Sequence, residues 1–229
     1  TIVGWNANGA IVHYEPTEES SAAIVGDGLL LVDSGGQYIY GTTDITRTIA
    51  LGQPTAGQRH DFTLVMKGHL ALSNAIFPQG TTGHQLDALA RQFLWKEGKA
   101  YYHGTGHGVG FFINCHEGPQ NIRLNINPTP LEPGMITSNE PGLYLEGRYG
   151  IRCENLIVTE PAMTTEFGEF YRFHPMTLFP FDRSLFEKEI MSESEIKWVD
   201  DYHRLVRERL TPLLTAEEAA WLEQKTQPL

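Results

Sequence analysis

Over the first fifty residues the apolar positions fall into short runs: Ile2-Val3, Ile11-Val12, Ala22 to Val25, and Leu29 to Val32. Asn8-Gly9, Gly26-Asp27-Gly28 and Ser34-Gly35-Gly36 separate them, which are the turn residues that punctuate strands. Gly41 to Ile49 is rich in β-branched residues, and strand alternation puts Thr42, Asp44, Thr46 and Thr48 on one face. The period then lengthens. Phe62, Val65, His69, Leu72 and Ile76 recur every three or four residues and predict a helix that Pro78 stops. A second helix is expected from about Gly83 to Glu97, with Leu86, Leu89, Ala90 and Phe93 on one face and Gly98 as its stop. His69, inside the first apolar stripe, reads as a core histidine rather than a ligand.

From Ala100 to Val158 the pattern returns to strands and Gly/Pro-rich loops. Strands, then helices, then strands predict an α+β domain with helices on one face of an antiparallel sheet. Past Pro161 the composition shifts to aromatics and proline from Phe167 to Phe186, followed by two helices. Ser192 with Glu195, and Thr215 with Glu218, are capping boxes that mark the helix starts. Ile196, Val199, His203, Val206 and Leu210 form the first stripe, and the second helix carries Trp221 and Leu222. The division expected is therefore 1–160 for the main domain and 161–229 for an extension whose helical hairpin covers the core or serves as a dimer contact. The opening Thr1-Ile2-Val3-Gly4-Trp5 reads as the start of a piece cut from a longer protein.

Composition narrows the chemistry only a little. A chain of 229 residues that is 41% apolar and 20% charged is ordinary for a globular protein. Its formal charge of -11 gives no general attraction for nucleic acid or anionic membrane, and the excess acid leaves room for bound cations. Cys115 and Cys153 are the two cysteines, without CxxC spacing, which argues against a disulfide scaffold or a cysteine zinc site and fits a reducing compartment.

Four segments carry candidate chemistry. Asp33 closes the apolar run Leu29 to Val32, and Asp44 lies within the next strand; a buried carboxylate is costly unless paired or metal-bound, although acids after strands also serve as turn and cap residues. His103-Gly104-Thr105-Gly106-His107-Gly108-Val109-Gly110, followed by Cys115-His116-Glu117-Gly118-Pro119, sets three histidines among glycines that let backbone approach a ligand. A dinucleotide loop is excluded, since Val109 and Phe111 stand where GxGxxG needs glycine, and no GxxxxGK[ST] occurs. A glycine-rich turn with incidental histidines is the plainer alternative. The third and fourth segments are Ser138-Asn139-Glu140-Pro141-Gly142 and Gly150-Ile151-Arg152-Cys153-Glu154-Asn155. In the fourth, alternation puts Arg152 and Glu154 on one face and turns Cys153 into apolar packing. The pairs Asp33/Asp44 and Glu140/Glu154 each place two acids on neighbouring strands, which suggests an internal pseudo-repeat.

In order and type, Asp33, Asp44, His107 within GTGHGVG, Glu140 within NEPG and Glu154 within GIRCEN resemble the five metal ligands of the pita-bread metallopeptidases. Methionine aminopeptidases, prolidases and aminopeptidase P form that family. Asn8 to Tyr14, the HGTGHGVG loop, CHEGP, and the tail motifs Pro175 to Pro180, Trp198…Tyr202-His203 and Thr226-Gln227-Pro228 are similar to the cytosolic-type aminopeptidase P. The resemblance implies a pseudo-symmetric curved antiparallel sheet covered by helices, with the helices that precede the first strand lying outside this chain. It implies two divalent metal ions, Mn²⁺ foremost with Zn²⁺ or Co²⁺ as alternatives. Asp33 would hold one ion, His107 and Glu140 the other, and Asp44 and Glu154 would bridge them. Glu140 would shuttle the proton, His116 and His103 would bind the scissile carbonyl, His13 would line the proline side, and Arg152 would orient a bridging carboxylate. The implied activity is hydrolysis of peptides with proline second, by a cytoplasmic homodimer. Alternatives are a prolidase acting on dipeptides, a metal-free creatinase-like hydrolase, and a non-catalytic binding module of the same fold.

Overall fold

A computed structural model describes every residue except 113. β1 (Ile2–Trp5), β2 (Gly28–Tyr38) and β3 (Gly41–Leu51) form a three-stranded antiparallel sheet in that order. β2 and β3 pair along their whole length around the turn at residues 39–40, with Asp33 opposite Thr46 and Gly35 opposite Asp44. The alternation expected for Thr42 to Thr48 holds, and it brings Thr46 and Thr48 to the protein interior.

Two of the expected strands are absent. Ile11-Val12 lies in a turn after a short 3-10 helix, Asn6–Ala10. Asn6 takes a positive φ of 47°, and its side-chain oxygen accepts from the Leu29 amide at 2.9 Å, which ties the turn to β2. Gly9 packs directly on Gly150, where a β-carbon would collide with the Gly9 carbonyl, so the backbone folds over itself instead of pairing. Ala22 to Val25 is loop: with no neighbouring strand to bond, Val25 stays 72% exposed.

α1 (Ala56–Ser73) begins earlier than its apolar stripe, at a Thr55–Gln58 capping box, and ends at Asn74. Ile76 therefore leaves the helix and joins β4 (Ile76–Pro78), an edge strand in which Pro78 costs little. α2 (Gly83–Trp95) follows. β5 (Gly106–Val109), β6 (His116–Ile122), β7 (Ile136–Asn139), β8 (Gly142–Leu145), β9 (Tyr149–Arg152), β10 (Asn155–Thr165) and β11 (Gly168–Pro175) complete the strands. Six of them form a sheet in the order β4-β11-β10-β7-β5-β6, and β8 pairs with β9. Residue 160 lies inside β10, which runs on into the β10–β11 hairpin. α3 (Glu193–Leu210) and α4 (Ala216–Lys225) start at the two predicted capping boxes.

The two helical pairs and the sheets share their packing. Phe62, Val65 and Leu70 of α1, Leu143, Ile151 and Cys153 around the β8–β9 hairpin, and Val199 and Val206 of α3 lie in one buried cluster. A second joins Leu72 and Phe77 to Leu86, Ile122, Ile157 and Phe173. His69 is a core histidine, as expected: Nδ1 lies 3.1 Å from the Asn139 carbonyl, and burial pulls its pKa down to about 3. Among the described residues, no helix is long and apolar enough to cross a membrane.

Candidate metal centre

Strand ends converge on one open cleft of ≈ 770 Å³, lined by His13, Asp33, Asp44, His103, His107, His116, Glu140, Arg152 and Glu154. β2 and β3 deliver the two aspartates, and β5 delivers His107. Glu140 follows β7 and Glu154 precedes β10, beside the register pair Asn139–Asn155, so each half contributes two acids from adjacent strands. His107 Nε2 stands 3.4 Å from Asp44 Oδ2 and 3.4 Å from Glu140 Oε1. Ligand atoms of Asp44, His107 and Glu154 all lie within 4.8 Å of one another.

Burial sets the electrostatics. It pushes the Glu140 carboxyl up to about 7. Glu154 is driven well above the carboxylate range by burial first and by the Glu140 and Asp44 charges next. For Asp44 burial is the largest single influence and acts upward, yet contacts with His107 and Cys115 together hold it below its usual value. Burial alone would lower His107, but Asp44 and Glu140 outweigh it and raise the imidazole. Glu154 is 1% exposed; Thr46 donates to its Oε2 at 2.7 Å, while Oε1 has no partner among the described residues. An acceptor left bare at such depth costs roughly 1–3 kcal/mol or more, and a cation among four carboxylates and one imidazole would satisfy it. The donor set therefore fits divalent metal.

Supporting contacts differ from the expectation in two places. β9 ends at Arg152, so Arg152 and Glu154 do not share a strand face; the Glu154 amide instead donates to the Thr46 carbonyl at 3.0 Å. Arg152 grips Asp33 Oδ2 directly at 2.6 Å and reaches Glu154 through Thr46, whose hydroxyl accepts from Arg152 Nε at 3.1 Å. His103 has both ring nitrogens engaged: Nδ1 lies 2.7 Å from the Gly104 carbonyl and Nε2 2.9 Å from the Tyr144 hydroxyl. Tyr144 in turn accepts from Arg152 at 2.9 Å. Burial pulls His103 down to about 4, so the ring is neutral. His116 stacks on His107 with centroids 3.7 Å apart, and exposed His13 borders the cleft beside Val12, whose carbonyl accepts from Arg152 at 3.3 Å.

Sequence reasoning missed Ser138, Tyr144 and Cys115. Ser138 donates to Glu140 Oε1 at 2.9 Å and accepts from the His107 amide at 2.9 Å, which locks those two side chains to one hydroxyl. The Cys115 thiol donates to Asp44 at 3.0 Å. Thr46 was within reach, because it shares the predicted face with Asp44.

The model of metallopeptidase family M24 matches residues 1–161, and that of the C-terminal region of its peptidases matches 169–229. The chain belongs to metallopeptidase family M24. Among its M24 relatives, proteins named "Probable Xaa-Pro aminopeptidase P" from Arthroderma gypseum and Laccaria bicolor are 47% and 44% identical over the whole chain. The chain spans 37% of the length of each of these two relatives. The crystal structure of X-prolyl aminopeptidase from Caenorhabditis elegans, described as a cytosolic enzyme with a di-nuclear active site, aligns with a TM-score of 0.92 at 36% identity, over 100% of this chain and 38% of that one. Prolidase from Pyrococcus furiosus aligns with a TM-score of 0.62 at 31% identity, over 69% of this chain and 45% of its own. The pita-bread fold inferred from the ligand motifs is the fold of these neighbours.

Proposed function

We propose that this chain is the metal-binding catalytic part of a Xaa-Pro aminopeptidase, with Asp33, Asp44, His107, Glu140 and Glu154 as ligands of two divalent cations. The observation that carries the reading is the bare, fully buried Oε1 of Glu154, facing three other carboxylates and an imidazole in one cleft. Such a set suits Mn²⁺ first, and Zn²⁺ or Co²⁺ as well. When bound, two such cations acidify a water and stabilise negative charge on the reacting oxygens.

The chain's own groups do the rest. Glu140, whose side chain borders the cleft beside His107, carries the proton from the attacking water to the leaving proline nitrogen. His116 faces the scissile carbonyl and supports its developing charge, and His13 borders the proline side. His103, with both nitrogens committed, holds Tyr144, and through it Arg152 and Asp33, in place. A homodimer through the C-terminal region belongs to the same reading, supported by exposed Met163, Phe167 and Trp221. A cytoplasmic setting is supported by the cytosolic description of the C. elegans neighbour.

The test is calorimetric titration of Mn²⁺ into the metal-stripped protein, beside an Asp44→Ala, Glu154→Ala double variant. Up to two tight ions, absent in the variant, are expected. Turnover of an Xaa-Pro-Xaa tripeptide over an Xaa-Pro dipeptide is expected from the loaded protein; the reverse preference would make it a prolidase. Silence in both titrations would sink the reading.

A further inference from the structure

Asp44 belongs to two donor triads. Ligand atoms of Asp44, His107 and Glu154 make the inner one, and those of Asp44, Cys115 and His116 make an outer one, again all within 4.8 Å of one another. One oxygen joins them: Asp44 Oδ2 lies 3.4 Å from His107 Nε2 and accepts from the Cys115 thiol at 3.0 Å. The outer triad is assembled where β5 meets β6. Val109 pairs with His116, and the Gly110 amide donates to the Cys115 carbonyl at 2.9 Å, which closes the connection between the two strands. The ladder is irregular between His107 and Val109, and the consecutive Cys115 and His116 both border the cleft. Apart from Asp44 the thiol has no hydrogen-bond partner among the described residues, and the exposed His116 ring has only its stack on His107.

The two triads differ in chemistry. Carboxylates suit hard cations such as Mn²⁺, whereas a thiolate beside an imidazole favours thiophilic ones. Donors about 2.0–2.3 Å from a zinc ion stand roughly 3.5 Å apart at the corners of a tetrahedron, so the outer triad needs only a small closure to share one ion. Glu154, 1% exposed and bare at Oε1, gives the cleft behind it an acceptor that a cation would satisfy. The lack of CxxC spacing counts against a site made of cysteines alone, not against a mixed set brought together from β3 and the start of β6. We infer that Asp44, Cys115 and His116 form an additional metal site at the mouth of the cleft, which takes one zinc-group cation and competes with the inner ions for Asp44. As the metal–sulfur bond forms, the thiol proton passes to solvent and Asp44 binds the metal in its place. The cation also engages His116, which then no longer faces the scissile carbonyl, so occupancy inhibits peptide cleavage. The inhibition rests on the aminopeptidase reading; the site rests on the three side chains alone.

The experiment adds Cd²⁺ to full-length protein, metal-stripped or loaded with Mn²⁺, in wild-type, Cys115→Ser and His116→Gln forms. Cys153 is fully buried in the apolar core, so an ultraviolet thiolate-to-cadmium charge-transfer band that differs between wild type and Cys115→Ser reports this site. The wild type is expected to develop the band up to one ion. Cys115→Ser, which keeps a hydroxyl beside Asp44, should lose it, and His116→Gln should keep it but need roughly tenfold more Cd²⁺. In the Mn²⁺-loaded form, with turnover of an Xaa-Pro-Xaa tripeptide scaled to each protein's own Cd²⁺-free rate, Cys115→Ser should need roughly tenfold more Cd²⁺ for half inhibition than the wild type. No band in the wild type, or an unchanged band in Cys115→Ser, overturns the site. Equal sensitivity of the two forms to Cd²⁺ overturns the inhibition. A wild type that shows the band yet cleaves no peptide upholds the site and counts against the aminopeptidase reading instead.

Discussion

The cleft and the seam beneath the C-terminal helices both bury charge, and they handle it in opposite ways. At the seam Arg47 is only 4% exposed. Its guanidinium donates to the carbonyls of Pro180 and Phe179 at 3.1 and 2.6 Å, to that of Glu154, and to Asn155 Oδ1 at 2.8 Å, and it lies 4.0 Å from the centre of the Phe181 ring. Every partner is neutral and the cation is dispersed over oxygens already fixed by strands. In the cleft, Asp44 and Glu140 share the His107 imidazole, and Glu154 keeps an oxygen with no partner among the described residues. Buried charge that the chain satisfies by itself is architecture; buried charge that it leaves unsatisfied is prepared for something from outside.

That contrast can be broken by exchanging the charges. Arg47→Met should lower stability by about 3 kcal/mol or more, since several carbonyls lose their donor, whereas Glu154→Gln in metal-stripped protein should cost little or stabilise. Chemical denaturation of both variants checks this, and equal losses would erase the distinction. Removing metal from the wild type with a chelator should come next in size. The bound ions contribute about 2.7 kcal/mol at a hundredfold excess over Kd, so the thermal midpoint should fall, and Glu154→Gln should shrink the fall.

Neutral histidines sharpen the picture on the acid side. His203 accepts from the Phe181 amide at 3.1 Å, and burial holds it down to about 4. A base with a lowered folded pKa contributes stability that is present above the unfolded value of about 6.5 and lost as pH falls towards the folded one. Stability should thus drop by on the order of 2 kcal/mol between pH 6.5 and 4, and His203→Gln should flatten that limb of a stability–pH curve. The smallest effect is expected at His60, which bridges Glu97 at 2.8 Å and Glu187 at 2.7 Å. Burial opposes its charge, but the two glutamates together raise its pKa. Its contribution is present below about 6.5 and lost as pH rises through the raised value; being partly exposed, it amounts to about 0.5 kcal/mol, readable as the loss of that slope in His60→Gln.

What could be read in the sequence divides along physical lines. Asp33 and Asp44 were legible because an apolar run and a β-branched alternation both point at them, and the same alternation marked Thr46. The starts of α3 and α4 were legible because capping is written locally. The start of α1 was equally local, in Thr55 and Gln58, but its polar first turn hides it from a search for apolar stripes. Ala22 to Val25 misled because a strand needs a neighbour, which no local pattern supplies. Ser138, Tyr144 and Cys115 act through contacts made across the fold, with Asp44 and Cys115 71 positions apart in the chain. The four carboxylates were recognisable from their motifs, yet their separations and the bare oxygen of Glu154 exist only once the strands are assembled.

Glu154 touches both regions at once: its carboxylate takes the Thr46 hydroxyl on the cleft side, and its backbone carbonyl takes Arg47 on the seam side. Thr46 and Arg47 are consecutive on β3, so one dipeptide grips both ends of one glutamate. Thermodynamic reciprocity then applies. Whatever metal binding gains from a well-seated C-terminal segment, that segment gains in turn from the metal, and its resistance to local opening and proteolytic nicking becomes a readout of cleft occupancy made far from the cleft itself.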